Sequence, residues 1–506
     1  MKNSIKKIAL LMMAALYLAG CSDDFLDTNP TGVLSSDDMS EMAKQDPESI
    51  IEPLILGLYS TTYSLGSGGL NSASSRNDMD YGQKNIDLCT DLMCGDVAGT
   101  AFTYGWYERV ARFTDQTSTR TMPYAAWRYY YRLIKGANDV LDLLGGDEKI
   151  PEKENLKAYY GQAKAIRAYA YFYLVNLYQH PYSDKADKPG VPIYRTAVGG
   201  NVYGQSTVAE VYERIVKDLE DAVVALKDFK RSDKSSINQD VAYGLLANAY
   251  LFMGEYAKAA AAADAVILKE TYSILPQNKL TTDGFNSVGS DNWIWGIEIT
   301  TENNTGIQNW WAHVDIFTYG YASASDYKAI DSLLYASIPV ADARRNWFGA
   351  YSQGTGVVTV GVRPLVPVNK FFDPNRAFDY DKTWTNDYLY MRIEELHLIK
   401  AEALARSGNI AGAVGALVEL TSQRNPDHTP SADQAELLEE IYFNWRVEMW
   451  GEGKSYLAMK RFKATMTRAS NHAYLKGQQF AYNYEGMIFE IPEAELLNNP
   501  YIVPQQ

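Results

Sequence analysis

Cysteine is nearly absent from this chain, with three in 506 residues, which excludes a small disulfide-stapled scaffold. Cys89 and Cys94 form a C-x4-C pair with no histidine nearby, a spacing outside the usual zinc patterns. A local disulfide or two buried thiols are expected there in preference to a metal. Histidine is scarce too: His180, His313, His397, His428 and His472 are all there are, and none belongs to an HExxH motif. Positive charge runs short, with 47 Lys and Arg against 62 Asp and Glu for a net charge of -15. A body so acidic lacks the basic footprint that nucleic-acid phosphates demand. After the first twenty residues no apolar run reaches 18, so no transmembrane helix is expected. Phenylalanine, at 16, is outnumbered by 38 Tyr and 10 Trp. Rings with a polar tip suit helix packing, protein interfaces and sugar recognition alike, and composition does not choose among them.

What is present begins with an address. Lys2, Lys6 and Lys7 precede an apolar run from Ile8 to Leu18, and Ala19-Gly20 supply small residues for a peptidase. Residues 1–20 are therefore read as a secretory signal peptide. Leu18-Ala19-Gly20-Cys21 resembles the bacterial lipobox, whose cysteine is acylated and becomes the mature N-terminus, and more than one acyl chain gives stable membrane attachment. Ser22-Asp23-Asp24 resembles the acidic tag that directs some Gram-negative lipoproteins to the cell surface. Residues 21–36 then read as the lipidated cysteine and a polar tether.

The body is read as helical. Helices are expected over 46–63, 79–94, from Pro123 to a stop at Gly145-Gly146, and over 155–179. Thr207-Val-Ala-Glu210 is a capping box that opens a further helix to about Leu226. Residues 95–121 read as loop, 291–298 as a short buried strand, and 349–368 as a small hairpin. Ala247, Tyr250, Gly254, Tyr256 and Ala259 are matched, 154 residues later, by Ala401, Leu404, Gly408, Ile410 and Ala413 at the same internal spacing. Small residues let two antiparallel helices approach and the glycine turns the chain, which is the tetratricopeptide arrangement. Such pairs must stack on neighbours to cover their apolar faces. The expected fold class is mainly α, a tetratricopeptide-like helix-pair scaffold with irregular loops and a few short strands. Its expected division is 37–270 and 271–506, packed as one body.

Catalytic motifs fail on inspection. Gly451-Glu452-Gly453-Lys454-Ser455 mimics the end of a phosphate-binding loop, but the position of its first glycine holds Glu448 and no strand precedes it. No GxSxG elbow occurs. Glu394 and Glu395 are adjacent on a helix, so they point about 100° apart and do not flank one glycosidic bond. A binding protein is expected, with no cofactor, no metal and no enzymatic activity.

Trp127-Arg128-Tyr129-Tyr130-Tyr131 through Asn138, Arg167-Ala168-Tyr169 through Leu174, and Gly190-Val191-Pro192-Ile193 follow the lipobox and its acidic tail. Arg392-Ile393-Glu394-Glu395, Arg446-Val447-Glu448 with Gly451-Glu452-Gly453, Lys460-Arg461 and Ile491-Pro492 continue the order. In these residues, and over nearly its whole length, the chain resembles the SusD/RagB family of outer-membrane nutrient-binding lipoproteins. Asn444-Trp445-Arg446 and Ser455-Tyr456-Leu457 depart from the family's usual runs. The resemblance implies a lipid-anchored protein on the cell exterior that binds oligosaccharides and delivers them to a SusC-like TonB-dependent outer-membrane transporter. A peptide-binding or protein-interaction scaffold of the same fold is the alternative.

A pyranose ring is bound by an exposed aromatic plate flanked by amides and charged donors. Two loops supply such residues: Tyr104, Trp106 and Tyr107 with Arg109, and Trp310 and Trp311 with Asn303, Asn304, Gln308 and Asn309. Tyr104, Trp106, Tyr107, Arg109, Asn309, Trp310 and Trp311 are thus the expected glycan contacts. Trp293 and Trp295, inside the strand, are expected to be core.

Overall fold

In a computed structural model the structure describes residues 36–70, 77–197, 203–352, 361–376 and 384–503, together with the backbone of the two-residue strands Gly354–Thr355 and Val358–Thr359. The expected signal peptide, Cys21 and all of the expected tether but Ser36 lie outside the described residues. The chain divides into two compact units, 1–53 and 54–506. The first contains helix α1 (Ser36–Gln45) and the start of α2 (Pro47–Thr61), which carries Pro53 in its interior.

The second unit is built on helices. Its main members are α3 (Gln83–Cys94), α4 (Thr121–Leu143), α5 (Glu154–Tyr178), α6 (Val208–Ala225), α7 (Gln239–Met253), α8 (Tyr256–Ile267), α9 (Ile393–Arg406), α10 (Ile410–Thr421), α11 (Gln434–Glu448) and α12 (Lys454–Phe462). Successive members pack in a run: α4 on α5, α5 on α6, α6 on α7, α7 on α8, α8 on α9 and α9 on α10. The two repeats are helix pairs, with Ala247, Ala259, Ala401 and Ala413 fully buried at their crossings. Gly254 ends α7 at φ 80°, and Gly408 follows α9 at φ 83°, a left-handed conformation that side chains resist. The capping box is present: Glu210 N–H donates to the Thr207 hydroxyl, and Thr207 N–H donates to the Glu210 carboxylate at 2.7 Å.

The long insertion between α8 and α9 carries most of the strand structure. Trp293–Ile297 is a buried strand, antiparallel to Tyr388–Arg392. Its Trp293 and Trp295 are core, as alternation implies. Phe348–Tyr351 pairs with Arg363–Pro367 and Gly354–Thr355 with Val358–Thr359, which together make the hairpin region. Two readings as loop, of 95–121 and of the stretch 300–315 that carries Trp310 and Trp311, are corrected. The first contains a strand, Val97–Gly99, that pairs with Lys328–Ile330, and a short helix, Glu108–Ala111. The second contains the helix Trp310–Val314, which Asn309 caps by accepting the N–H of Ala312. Cys89 and Cys94 are buried free thiols, and burial pushes both up. No helix among the described residues is long and apolar enough to cross a membrane.

The sequence motifs that set the chain apart converge inside this body. Arg392 lies 2.7 Å from Glu448 and 2.9 Å from Glu452, Arg424 lies 2.8 Å from Glu448, and Lys370 lies 2.9 Å from Glu452, all without exposed charge. Around α5, Arg167 pairs with Asp218 at 2.7 Å and donates to Asn138 at 2.7 Å. Buried ions persist only when paired and hydrogen-bonded, so these residues are locked to one another. Glu394 and Glu395 belong to this interior and are not a catalytic pair: Glu394 accepts the N–H of Leu275 and faces Arg392 and Arg424, while Glu395 accepts from Asn248.

Candidate functional site

The exposed aromatic surface is built from two loops with the same local pattern, Tyr104-Gly105-Trp106 and Tyr319-Gly320-Tyr321. In the first, Asp326 takes the backbone N–H groups of Thr103 and Tyr104 at 2.6 and 3.0 Å, and Gly105 turns the chain at φ 76°. In the second, the position of a Gly320 Cβ is occupied by the backbone of Ala312 at 2.9 Å, so only glycine lets the loop lie on that helix. The two loops meet edge to face, Tyr104 with Tyr321 at 5.4 Å and Trp106 with Tyr321 at 6.1 Å between ring centroids.

Beneath this layer sits a buried one. His313 stacks under Tyr321 at 4.7 Å, with Tyr81 stacked at 6.1 Å and Tyr107 edge-on at 5.1 Å. Tyr107 donates to the Asn85 amide oxygen at 2.8 Å, which leaves the Tyr81 hydroxyl as donor to Tyr107 at 2.5 Å. Tyr321 is tied down through its hydroxyl, which donates to Asp78. Burial, helped by the nearby Lys328 charge, drives the His313 imidazole well below its usual range, so it is neutral support for the rings above it. The arrangement is a pre-formed platform: Tyr104 is 49% exposed, Trp106 and Tyr321 are half-buried, and Tyr319 is exposed. It offers ring faces and edges to an apolar patch of a ligand.

The expected residues therefore separate. Tyr104 and Trp106 form the platform, and Arg109 is exposed on the short helix that follows. Tyr107 is corrected to core: it has no exposed surface and lies in the supporting layer. Trp310 and Trp311 are corrected to core as well, at 2% and 1% exposure, because the helix Asn309 caps turns both rings inward onto Phe371, at 4.9 and 6.2 Å. Asn309 spends its side chain as that cap, and it lines with Asn303, Asn304 and Trp311 a void of only about 10 Å³, too small for a sugar ring. Tyr321 was missed. The available signal was the repeated aromatic-Gly-aromatic triplet; what hid it was the separation of more than two hundred residues between the two copies.

Comparisons with known proteins agree with this architecture. A family model described as "Starch-binding associating with outer membrane" matches residues 69–251, and the SusD family model matches residues 351–504. Trp106 falls in the first match, whereas Tyr321 lies between the two. The chain is similar to SusD-like protein P2 of Formosa agariphila, 31% identical over 268 residues, and to SusD-like protein P25 of the same organism, 23% identical over 227 residues. These alignments take in 52% and 44% of the chain but only 46% and 38% of the relatives' own lengths. Among solved structures, a SusD-like carbohydrate binding protein from Bacteroides vulgatus superposes with a TM-score of 0.74 at 22% identity, over 89% of this chain and 96% of that one. A putative sugar binding protein from the same organism gives a TM-score of 0.71 at 24% identity, over 90% and 98%.

Proposed function

The chain belongs to the SusD/RagB family, and from that premise we propose that it is an outer-membrane protein that binds oligosaccharides on the Tyr104, Trp106 and Tyr321 platform. One observation carries the reading: three rings from loops far apart in sequence are held part-exposed and edge to face over a buried layer that fixes their orientation. A pyranose presents C–H groups on one face and hydroxyls around its rim. A pre-set ring platform gains the first contact without ordering side chains on binding. The finer parts of the proposal extend from the sequence. Cys21 is the lipid anchor, the acidic residues after it favour display on the cell exterior, and a SusC-like TonB-dependent transporter receives the ligand.

The test is a screen of the soluble body against neutral and charged polysaccharides by affinity gel and titration calorimetry, beside unstructured peptides of mixed composition. Retention by one or more polysaccharides, lost on Trp106→Ala and Tyr321→Ala, is the expected outcome. Saturable binding of peptides with no polysaccharide retained would replace this reading with that of a peptide-binding scaffold.

A further inference from the structure

A separate cavity of about 550 Å³ opens on one face of α4, between that helix, residues 194–197 and Glu495. Its volume lies within the range of small-ligand sites. Arg128, Arg132 and Lys135 recur on α4 at intervals of four and three, which places them on one face of the helix, and all three are exposed. Half-buried Tyr131 and Tyr194 stand edge to face at 5.7 Å beneath them, and buried Trp127 backs Tyr131 at 4.8 Å.

The neighbouring carboxylates decide what charge this cavity takes. Lys135 is paired with Asp139 at 2.8 Å. Glu495 accepts the indole N–H of Trp127 at 3.3 Å and the side-chain amide of Asn499 at 2.9 Å. Asp142 accepts the Thr196 hydroxyl and the Ala197 N–H at 2.7 and 2.8 Å. Asp80 feels the charge of Arg128, but its oxygens hold the N–H groups of Gly68 and Leu70 at 2.7 and 2.8 Å. Every nearby acid is therefore committed to its own donors. Arg128 lies over the Tyr124 ring at 5.3 Å and donates to that hydroxyl, and among the described residues neither Arg128 nor Arg132 has a carboxylate partner. Two neighbouring guanidiniums on one exposed helix face are thus left without an acid.

We propose that this cavity is a second binding site, selective for an acidic saccharide. Arg128 and Arg132 take its carboxylate or sulfate, and its ring lies against Tyr131 and Tyr194. A planar guanidinium matches such an anion through paired N–H donors, and the aromatic wall accepts the C–H face of a ring. An all-glutamate peptide would use the cations but has no ring to lay against the two tyrosines. The inference rests on the reading of the protein as a saccharide binder, yet the two sites differ in chemistry: the ring platform recognises shape, and the α4 cavity recognises charge.

The test is calorimetric titration of the full mature chain with trigalacturonate, a sulfated galacto-oligosaccharide and a neutral malto-oligosaccharide. At least one acidic ligand is expected to bind with an affinity that weakens as salt rises. Arg128→Gln with Arg132→Gln should weaken that binding about tenfold or more, while Trp106→Ala leaves it in place. Both changes lie on an exposed helix face, and an unchanged unfolding midpoint verifies that the fold is intact. The proposal is overturned if neither acidic ligand binds, if the double variant binds them as well as the wild type, or if a hexaglutamate peptide competes equally. Neutral binding that depends on Trp106, with no acidic binding, would remove the second site and leave the platform standing.

Discussion

Arg392 and Glu448 are 56 positions apart in the chain and 2.7 Å apart in space, and neither side chain has any exposed surface. Glu448 also faces Arg424 at 2.8 Å and Arg344 at 3.2 Å, so one carboxylate bridges three guanidiniums from three parts of the fold, while Asp342, Glu394 and Glu452 supply the rest of the balancing charge. Glu448→Ala should destabilise the body by about 3–5 kcal/mol, since it strands buried positive charge instead of merely deleting a contact. Urea unfolding checks this, and a midpoint within error of wild type would mean the network is not closed.

The same cluster sets an acid limit. Burial opposes ionisation of Glu448 and Glu452, but Arg424 and Arg392 around the first, and Arg392 and Lys370 around the second, hold both carboxyls low, Glu452 down to about 2. A carboxyl depressed in the fold contributes stability that is present above its unfolded value near 4.5 and is lost as pH falls toward 2. The unfolding midpoint should therefore drop across that window, and Glu452→Gln should flatten the drop. An identical pH slope in wild type and variant would count against the linkage.

The aromatic residues divide into two experimental classes. Trp106→Ala is expected to abolish polysaccharide retention with little change in unfolding, whereas Tyr321→Ala should abolish retention and also lower the unfolding midpoint, because it strands the buried Asp78 carboxylate. Trp311→Ala should cost about 3–5 kcal/mol of stability, because it empties a packed site against Phe371. If Trp311→Ala were as stable as wild type, its ring would not be core.

Small residues at the helix crossings give a third handle on the fold. Ala247→Trp or Ala401→Trp should overpack fully buried positions and destabilise by about 1–3 kcal/mol, read as a lowered thermal midpoint. Unaltered midpoints in both variants would contradict tight crossings at these places.

For the anchor, Cys21→Ala is expected to yield a precursor that is neither acylated nor recovered with outer membrane. Fractionation and surface protease digestion measure it directly, and display equal to wild type would dismiss the lipoprotein proposal.

The helical repeats were legible in the chain because their cause is local. Ala247 and Ala401 must be small wherever two helices cross, Gly254 and Gly408 must turn the chain, and Thr207 with Glu210 closes a cap within one turn, so residue type and spacing alone specify them. The loop aromatics were legible only in part, because exposure is a property of the packed body. Trp310 and Trp311 stand among asparagines in a stretch that reads as loop, yet Asn309 caps a short helix that turns both rings onto Phe371. Trp106 acquires its partner Tyr321 only when Val97–Gly99 pairs with Lys328–Ile330, which brings the two loops to one place. The charged motifs show the same division: sequence displays Arg392, Glu394, Glu448 and Glu452 as separate islands, and only long-range folding, under the requirement that buried charge be neutralised, joins them into one network.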